Sequence, residues 1–287
     1  MKRENDSAEA CLAAEFERRR ELPSLSREDE AQLALVETAL KAECFELFLQ
    51  PICSLREHAG VSHYEVLVRL HTVEGCVIEP PAFLRMAADR HLMPAIDRWV
   101  LRTLLIWLAD NRRAWSRAPT VFSINLAPQS LTDANFIGFM ESCVAASGLP
   151  PQVLCFEITE TFAAFGSISV GDSMQRLEDL GCAVALDDFG KHAPSYGYLR
   201  NVPAHYFKID SSLVSAAPTD RVARAVISSI VRMAGDLGVQ TVAKSVQLDS
   251  ELQAIRLLGV DYAQGYLLGR PAALAGFDFG AEPRLTN

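Results

Sequence analysis

From Phe45 onward, short runs rich in β-branched and aromatic residues alternate with longer stretches whose apolar residues recur at helical spacing. The strand-like runs fall at 45–53, 62–69, 120–126, 153–158, 182–187, 205–209, 238–243 and 260–263. The clearest helical patterns lie between them, at 95–112, 133–146, 169–180, 219–236 and 248–257. Eight strands interleaved with helices over about 240 residues predict a TIM-like (β/α)8 barrel rather than an open doubly wound sheet. No G-x-G-x-x-G follows a strand and no P-loop is present, so a phosphate site here has to rely on side chains and metal. Trp99, Leu101 and Leu105 follow helical spacing and are expected in the core.

The first residues read differently. Residues 8–20 form a short amphipathic pattern that ends at Leu22-Pro23-Ser24, and Ser26 with Asp29 suits the start of a second helix running to about Glu43. The expected division is a helical extension over residues 1–36 and a barrel domain over residues 37–287. The extension serves either as a helix pair packed on the domain or as a partner-binding arm.

Charge and composition narrow the partners. A net charge of −9 disfavours general DNA, RNA or anionic-membrane binding but allows a small anion in a local site. The seven cysteines (11, 44, 53, 76, 143, 155, 182) are scattered without a C-x-x-C pair and are expected as buried reduced thiols. No signal-peptide pattern and no bilayer-length apolar stretch is seen, so a cytoplasmic protein without membrane insertion is expected. The six histidines show no ligand spacing, and only His192 is expected near the site.

The candidate chemistry lies where the strands end. Glu65, Asn125, Glu157, Asp187-Asp188, Lys208 and Gln264 all fall at or near the carboxyl ends of predicted strands, where barrels of this kind gather their active groups. Each alone has a structural explanation: Asp187 to Gly190 as a turn and helix cap, Asn125 as a turn residue, Lys208 with Asp210 as a buried pair. Recurrence on successive strands points instead to one site. Several carboxylates at one mouth repel each other unless bridged by cations, and hard ions such as Mg²⁺, Mn²⁺ or Ca²⁺ prefer oxygen ligands.

The motifs occur in an order that resembles the EAL domain, the bacterial cyclic di-GMP phosphodiesterase module. They are Leu49-Gln-Pro-Ile52, Glu65-Val-Leu-Val-Arg69, Ala95-Ile-Asp-Arg-Trp-Val-Leu101, Ile124-Asn-Leu126 and Phe156-Glu-Ile-Thr-Glu160. Asp187-Asp-Phe-Gly190, Leu199 to Pro203, Phe207-Lys-Ile-Asp210 and Ala263-Gln-Gly-Tyr-Leu267 with Pro271 complete the set. The resemblance implies a barrel with an antiparallel first strand and two metal ions that activate a water for attack on cyclic di-GMP. It implies Glu65, Asn125, Glu157 and Asp187 as ligands of the first metal, and Asp187 with Asp188 toward the second. Lys208 would orient or activate the water, Gln264 would support the site, and Glu160 would position the loop after the Asp-Asp strand. Gln50, Leu67, Arg69, Asp97, Gln264 and Pro271 match ligand-binding positions. An Arg at 69 has a planar fork suited to two phosphate oxygens.

The chain departs from that pattern in three places. The signature triplet is Glu65-Val-Leu67 rather than Glu-Ala-Leu, which keeps the ligand. The loop after Gly190 runs Lys191-His-Ala-Pro-Ser195 where the family has Thr-Gly-Tyr-Ser-Ser. Where the family has Ala-Glu-Gly-Val-Glu, the chain has Ala243-Lys-Ser-Val-Gln247. The first of those glutamates is a second-metal ligand or general base, and Lys244 stands in its place. An ammonium offers no lone pair and repels a second cation, and a nearby Asp188 would keep it charged. Mg²⁺ or Mn²⁺ is therefore expected at one site, with the second lost and hydrolysis with it. The function expected is a cyclic di-GMP receptor or regulatory signalling module, with a protein partner or homodimer. The alternatives are a protein-interaction scaffold that binds no nucleotide and a weakly active phosphodiesterase. The chain length is expected to leave no room for a GGDEF-type synthase, receiver or sensory domain.

Overall fold

The computed structural model describes residues 36, 38–40, 44–56, 62–71, 77–78, 80–133, 135–165, 168–192 and 196–279. Most of the predicted extension lies outside these residues. At its end, Val36 and Thr38–Leu40 are helical, and Val36 and Ala39 are buried in the main core.

Among the described residues ten strands follow: β1 (Phe45–Ser54), β2 (Ser62–His71), β3 (Val77–Ile78), β4 (Thr120–Asn125) and β5 (Leu154–Thr159), then β6 (Ala183–Phe189), β7 (Tyr206–Ile209), β8 (Gln240–Ala243), β9 (Tyr262–Ala263) and β10 (Ala272–Ala273). Eight of them close a barrel in the order β1, β2, β4, β5, β6, β7, β8, β9 and back to β1. The pairs from β2 through β9 are parallel, whereas β1 runs antiparallel to both β2 and β9. The barrel and its reversed first strand agree with expectation. The two-residue strands β3 and β10 and the helix Pro80–Asp89 are additions that the patterning did not predict.

Strand alternation divides the molecule into two apolar compartments. On β5, Leu154, Phe156 and Ile158 join the large core shared with the helices, while Cys155 belongs to a small cluster with Ile52, Ala185, Tyr206, Val242 and Tyr262. That small cluster takes one inward position from each of six strands and fills the barrel interior. The next inward positions toward the strand ends on β2, β5 and β7 carry Glu65, Glu157 and Lys208. An apolar plug therefore underlies the ionic layer and closes it off from below.

The helices follow their sequence signals. Arg221–Leu237 starts on Asp220, whose carboxylate accepts from the Val222 amide at 2.8 Å, and ends at left-handed Gly238. Its buried stripe is Ala223, Ile227, Ile230 and Ala234, spaced for one face. Met93–Asp110 buries Leu101 and Leu105 as expected, and Trp99 packs against Phe45 with ring centroids 5.4 Å apart. Cys53, Cys143, Cys155 and Cys182 are free thiols, three of them buried, and Cys44 is half-buried. Cys11 and Cys76 lie outside the described residues. Among the described residues, no helix is long and apolar enough to cross a membrane.

Candidate functional site

Strand register assembles the mouth. The β1–β2 pairing sets Gln50 opposite Glu65, β4–β5 sets Asn125 beside Glu157, and β5–β6 sets Thr159 beside Asp187. Consecutive strand residues normally point to opposite faces, so one strand would offer the mouth only one of Asp187 and Asp188. Here the β6–β7 register shifts between Leu186 and Phe189, and Asp188 takes a left-handed backbone with φ +53°. That bulge brings both carboxylates to the same lysine. Gly190, at φ +83°, completes the turn, and a Cβ there would lie 2.7 Å from Ile230 Cδ1.

The inner layer centres on Lys208, whose side chain is 1% exposed. Its ammonium donates to Glu65 Oε2 at 2.9 Å and makes a short contact with Glu157 Oε2. Glu65 also accepts from Asn125 Nδ2 at 2.8 Å and from Gln264 Nε2 at 2.7 Å. Burial would raise the Glu65 carboxyl, but Lys208 and these donors outweigh it and hold it at about 2. Glu157 goes the other way. Burial raises it, Lys208 opposes this only in part, and Glu65 and Asp187 add repulsion. Its Oε1 is buried without a hydrogen-bond partner. Lys208 stays charged because the surrounding carboxylates overcome the desolvation that would depress it.

The outer layer centres on Lys244, with 19% side-chain exposure. Its Nζ lies 2.6 Å from Asp187 Oδ1 and 2.8 Å from Asp188 Oδ1. The contact to Asp187 is an ion pair without hydrogen-bond angle, whereas Asp188 accepts a proper hydrogen bond. Burial would lower the lysine, but Asp187 and Asp188 raise it above its ordinary value. Asp188 is held low in turn: burial alone would raise it, and Lys244, then Lys191 and Lys208, prevail. Lys191 Nζ stands 4.0 Å from Asp188 Oδ2, the other carboxylate oxygen.

A polar cavity of about 290 Å³ opens over this layer, lined by Gln50, Glu65, Leu67, Lys244, Gln247, Gln264 and Tyr266 among others. Gln264 donates to Gln50 Oε1 at 3.1 Å, and Gln50 donates to the Gly269 carbonyl at 3.0 Å. Asp97 faces a second, more apolar cavity of about 460 Å³ that also reaches Asn125. Its Oδ2 accepts from the Ala127 amide at 2.9 Å and from Ser130 Oγ at 2.5 Å. Burial still pushes Asp97 up to about 6. Arg69 and Pro271 line neither cavity. The Arg69 guanidinium is buried over the Phe48 ring and donates to the Val68 carbonyl at 3.0 Å. Glu160 accepts from the Gly190 amide and from Tyr198 Oη, both at 2.9 Å, so it ties the turn to the segment beyond the altered loop.

Three residues were not foreseen. His63 lies buried within range of Lys208 and Glu65, which corrects the expectation that only His192 is near; burial and Lys208 push it down to about 3, and its Nε2 pairs with Ser123 Oγ at 2.8 Å. Its inward place on β2, two residues before Glu65, was the available signal. Along the chain Lys191 stands out only as part of an altered loop, and Tyr198, one residue before the Leu199 to Pro203 stretch, does not stand out. Among the described residues, no three His, Cys, Asp or Glu side chains converge so as to hold a metal ion.

A closed barrel with buried acids, amides and lysines toward the carboxyl ends of its strands places the chain among (β/α)8 proteins with a charged site at that mouth. The EAL domain family model matches residues 34–271, and the chain belongs to the EAL domain family. It is similar to the cyclic di-GMP phosphodiesterase PdeB of Shewanella oneidensis, at 34% identity over 241 residues, covering 84% of this chain and 28% of that protein. It is similar also to the cyclic di-GMP phosphodiesterase PdeF of Escherichia coli, at 33% identity over 266 residues, covering 91% of this chain and 35% of that one. The chain thus spans about a third of the length of these curated relatives. Among solved structures, the FimX EAL domain from Pseudomonas aeruginosa bound to c-di-GMP superposes with a TM-score of 0.77 at 27% identity, covering 84% of this chain and 96% of that one.

Proposed function

We propose that this chain binds cyclic di-GMP without hydrolysing it and acts as a receptor or regulatory module. The observation that carries the reading is the position of Lys244, whose ammonium bridges Asp187 and Asp188 where the family pattern supplies another carboxylate. Two-metal hydrolysis needs one cation to bring up the nucleophile and one to stabilise the leaving oxygen. The acids of the second position already have their counter-charge in Lys244, and a fixed ammonium repels a divalent ion beside it. The first position differs. Glu157 Oε1 keeps an unmet lone pair, but a cation held there with Glu65, Asn125 and Asp187 would have to displace Lys208 from the two glutamates and turn the Asn125 amide, since these groups do not converge on a metal site as they stand. A single Mg²⁺ or Mn²⁺ bound in that way would neutralise acids of the inner layer and is not required for a phosphate to meet Lys244. This chain's own residues would supply the rest: Gln50 and Gln264 at the cavity wall, Leu67 as apolar contact, and Lys244 toward a phosphate oxygen.

Incubation with cyclic di-GMP and Mn²⁺, followed by chromatography for the linear dinucleotide, tests the reading, with calorimetry reporting binding. Expected are binding and no product. Lys244→Glu combined with Gln247→Glu is expected to gain turnover. Fast product formation by the unaltered chain would overturn the reading in favour of an active phosphodiesterase, and no binding at micromolar nucleotide would favour the scaffold.

A further inference from the structure

Two departures from the family pattern, 53 residues apart in sequence, meet at one carboxylate: Lys244 at Asp188 Oδ1, 2.8 Å away, and Lys191 at Asp188 Oδ2, 4.0 Å away. We propose that Lys191 and Lys244, braced on the two oxygens of Asp188, form a two-ammonium seat for one phosphodiester of the ligand and make its recognition independent of metal. The inference rests on the receptor reading given above.

Local charge supports it. Four carboxylates at the mouth (Glu65, Glu157, Asp187 and Asp188) face three ammonium groups (Lys208, Lys244 and Lys191), which leaves an excess of one negative charge. With the family residues, Glu at 244 and Thr at 191, five carboxylates would face Lys208 alone. That excess of four, or of five with the family's Glu at 247 counted, calls for divalent cations. In this chain two such ions would overcharge the mouth by three. Gln247 on the cavity wall removes one more negative charge relative to the family pattern. A phosphodiester, itself an anion, can therefore approach without a metal to screen the acids.

The two lysines differ in the way such a seat needs. Lys244 is mostly buried, lines the polar cavity and is fixed by two acids. Ser245, held at φ +58°, follows it, and the Val246 amide bonded to the Gln264 carbonyl at 2.8 Å anchors that turn to β9. Lys191 is half exposed and only loosely paired, so it can leave Asp188 and close on a bound phosphate at little cost. Asp188 presents its oxygens to both because its backbone is turned at the bulge.

The test is calorimetric titration of the whole chain with cyclic di-GMP in EDTA, at low and at moderate salt, for the unaltered protein, Lys191→Met and Lys191→Arg. Expected are binding in EDTA by the unaltered protein, roughly tenfold weaker binding by Lys191→Met with a flatter salt dependence, and recovery in Lys191→Arg. Equal affinity and equal salt dependence in Lys191→Met overturn the seat while the receptor reading stands. Binding by the unaltered protein only when Mg²⁺ is added also overturns the seat alone. No binding under any of these conditions overturns both.

Discussion

The Lys244 ammonium donates to Asp188 Oδ1 at 2.8 Å, joining residues 56 positions apart at the mouth of the barrel. The pair is possible because Asp188 is turned toward the mouth by a bulge that standard strand geometry would not provide. A positive side chain thus sits among acids, and each holds the other in its charged form.

Removing that cation should make the fold responsive to metal. Lys244→Met leaves Asp187 and Asp188 side by side without a shared counter-charge and is expected to cost about 2 kcal/mol, discounted for partial exposure. Millimolar Mg²⁺ should then raise the melting temperature of the variant, since a ligand that binds only the folded state stabilises it. The unaltered chain should show a much smaller rise. Thermal unfolding in EDTA and in Mg²⁺ checks this; identical melts for the two proteins in both buffers would count against it.

The inner pair should be more sensitive still. Lys208 is buried against two carboxylates, so Lys208→Met is expected to cost about 3–5 kcal/mol in urea denaturation. The sign of its pH dependence follows from Glu65. With Lys208 present, Glu65 is held at about 2, below its unfolded value, so its contribution exists above that unfolded value and fades as pH falls toward 2. Without Lys208, burial carries Glu65 above its unfolded value and raises Glu157, already high, further, so both favour folding only when protonated. The cost should therefore be larger at pH 8 than at pH 5.

Asp97 makes an opposite and separable prediction. Burial raises it to about 6 even though Ser130 and the Ala127 amide donate to it. Its stabilising contribution is thus complete below the unfolded aspartate value and is lost as pH rises through about 6. Asp97→Asn should remove this dependence. Between pH 4 and pH 7 the unaltered chain should lose about 2 kcal/mol relative to the variant, measured as the difference in urea stability. Parallel pH profiles would show that Asp97 does not titrate in this range.

Gly265 is required by a close approach of two backbones. A Cβ on it would lie 1.9 Å from the Val246 carbonyl oxygen and 2.3 Å from the Val246 nitrogen. No side chain can move to relieve that contact. Gly265→Ala is expected to destabilise by about 3 kcal/mol or more and to displace Gln264 from Gln50 and Glu65. Expression and near-ultraviolet circular dichroism would report it, and a variant that melts like the parent would contradict the geometry.

Much of this was legible along the chain. Strand alternation, helical stripes and caps are local, so the eight barrel strands and main helices could be placed from residue order, along with Glu157, Asp187 and Lys208 near the strand ends; Glu65, expected at an end as well, stands within β2, which runs on to His71. The substitution at Lys244 was equally visible. Its partners depended on structure, because a polypeptide written as a line shows neither the register shift at Leu186 and Phe189 nor the turned backbone at Asp188. The same limit hid Lys191, since nothing in the order of residues indicates that the loop after Gly190 returns to the carboxylate that Lys244 holds. It also hid the burial of Arg69 over Phe48 and of His63 beneath the acids.

The sequence by itself determined which groups stand at the ends of the strands, since side-chain direction and periodicity are properties of a few consecutive residues. Only the tertiary structure decided which cation neutralises which acid. Coulomb energy depends on separation in space, and closing the barrel brings residues more than fifty positions apart within 3 Å of each other.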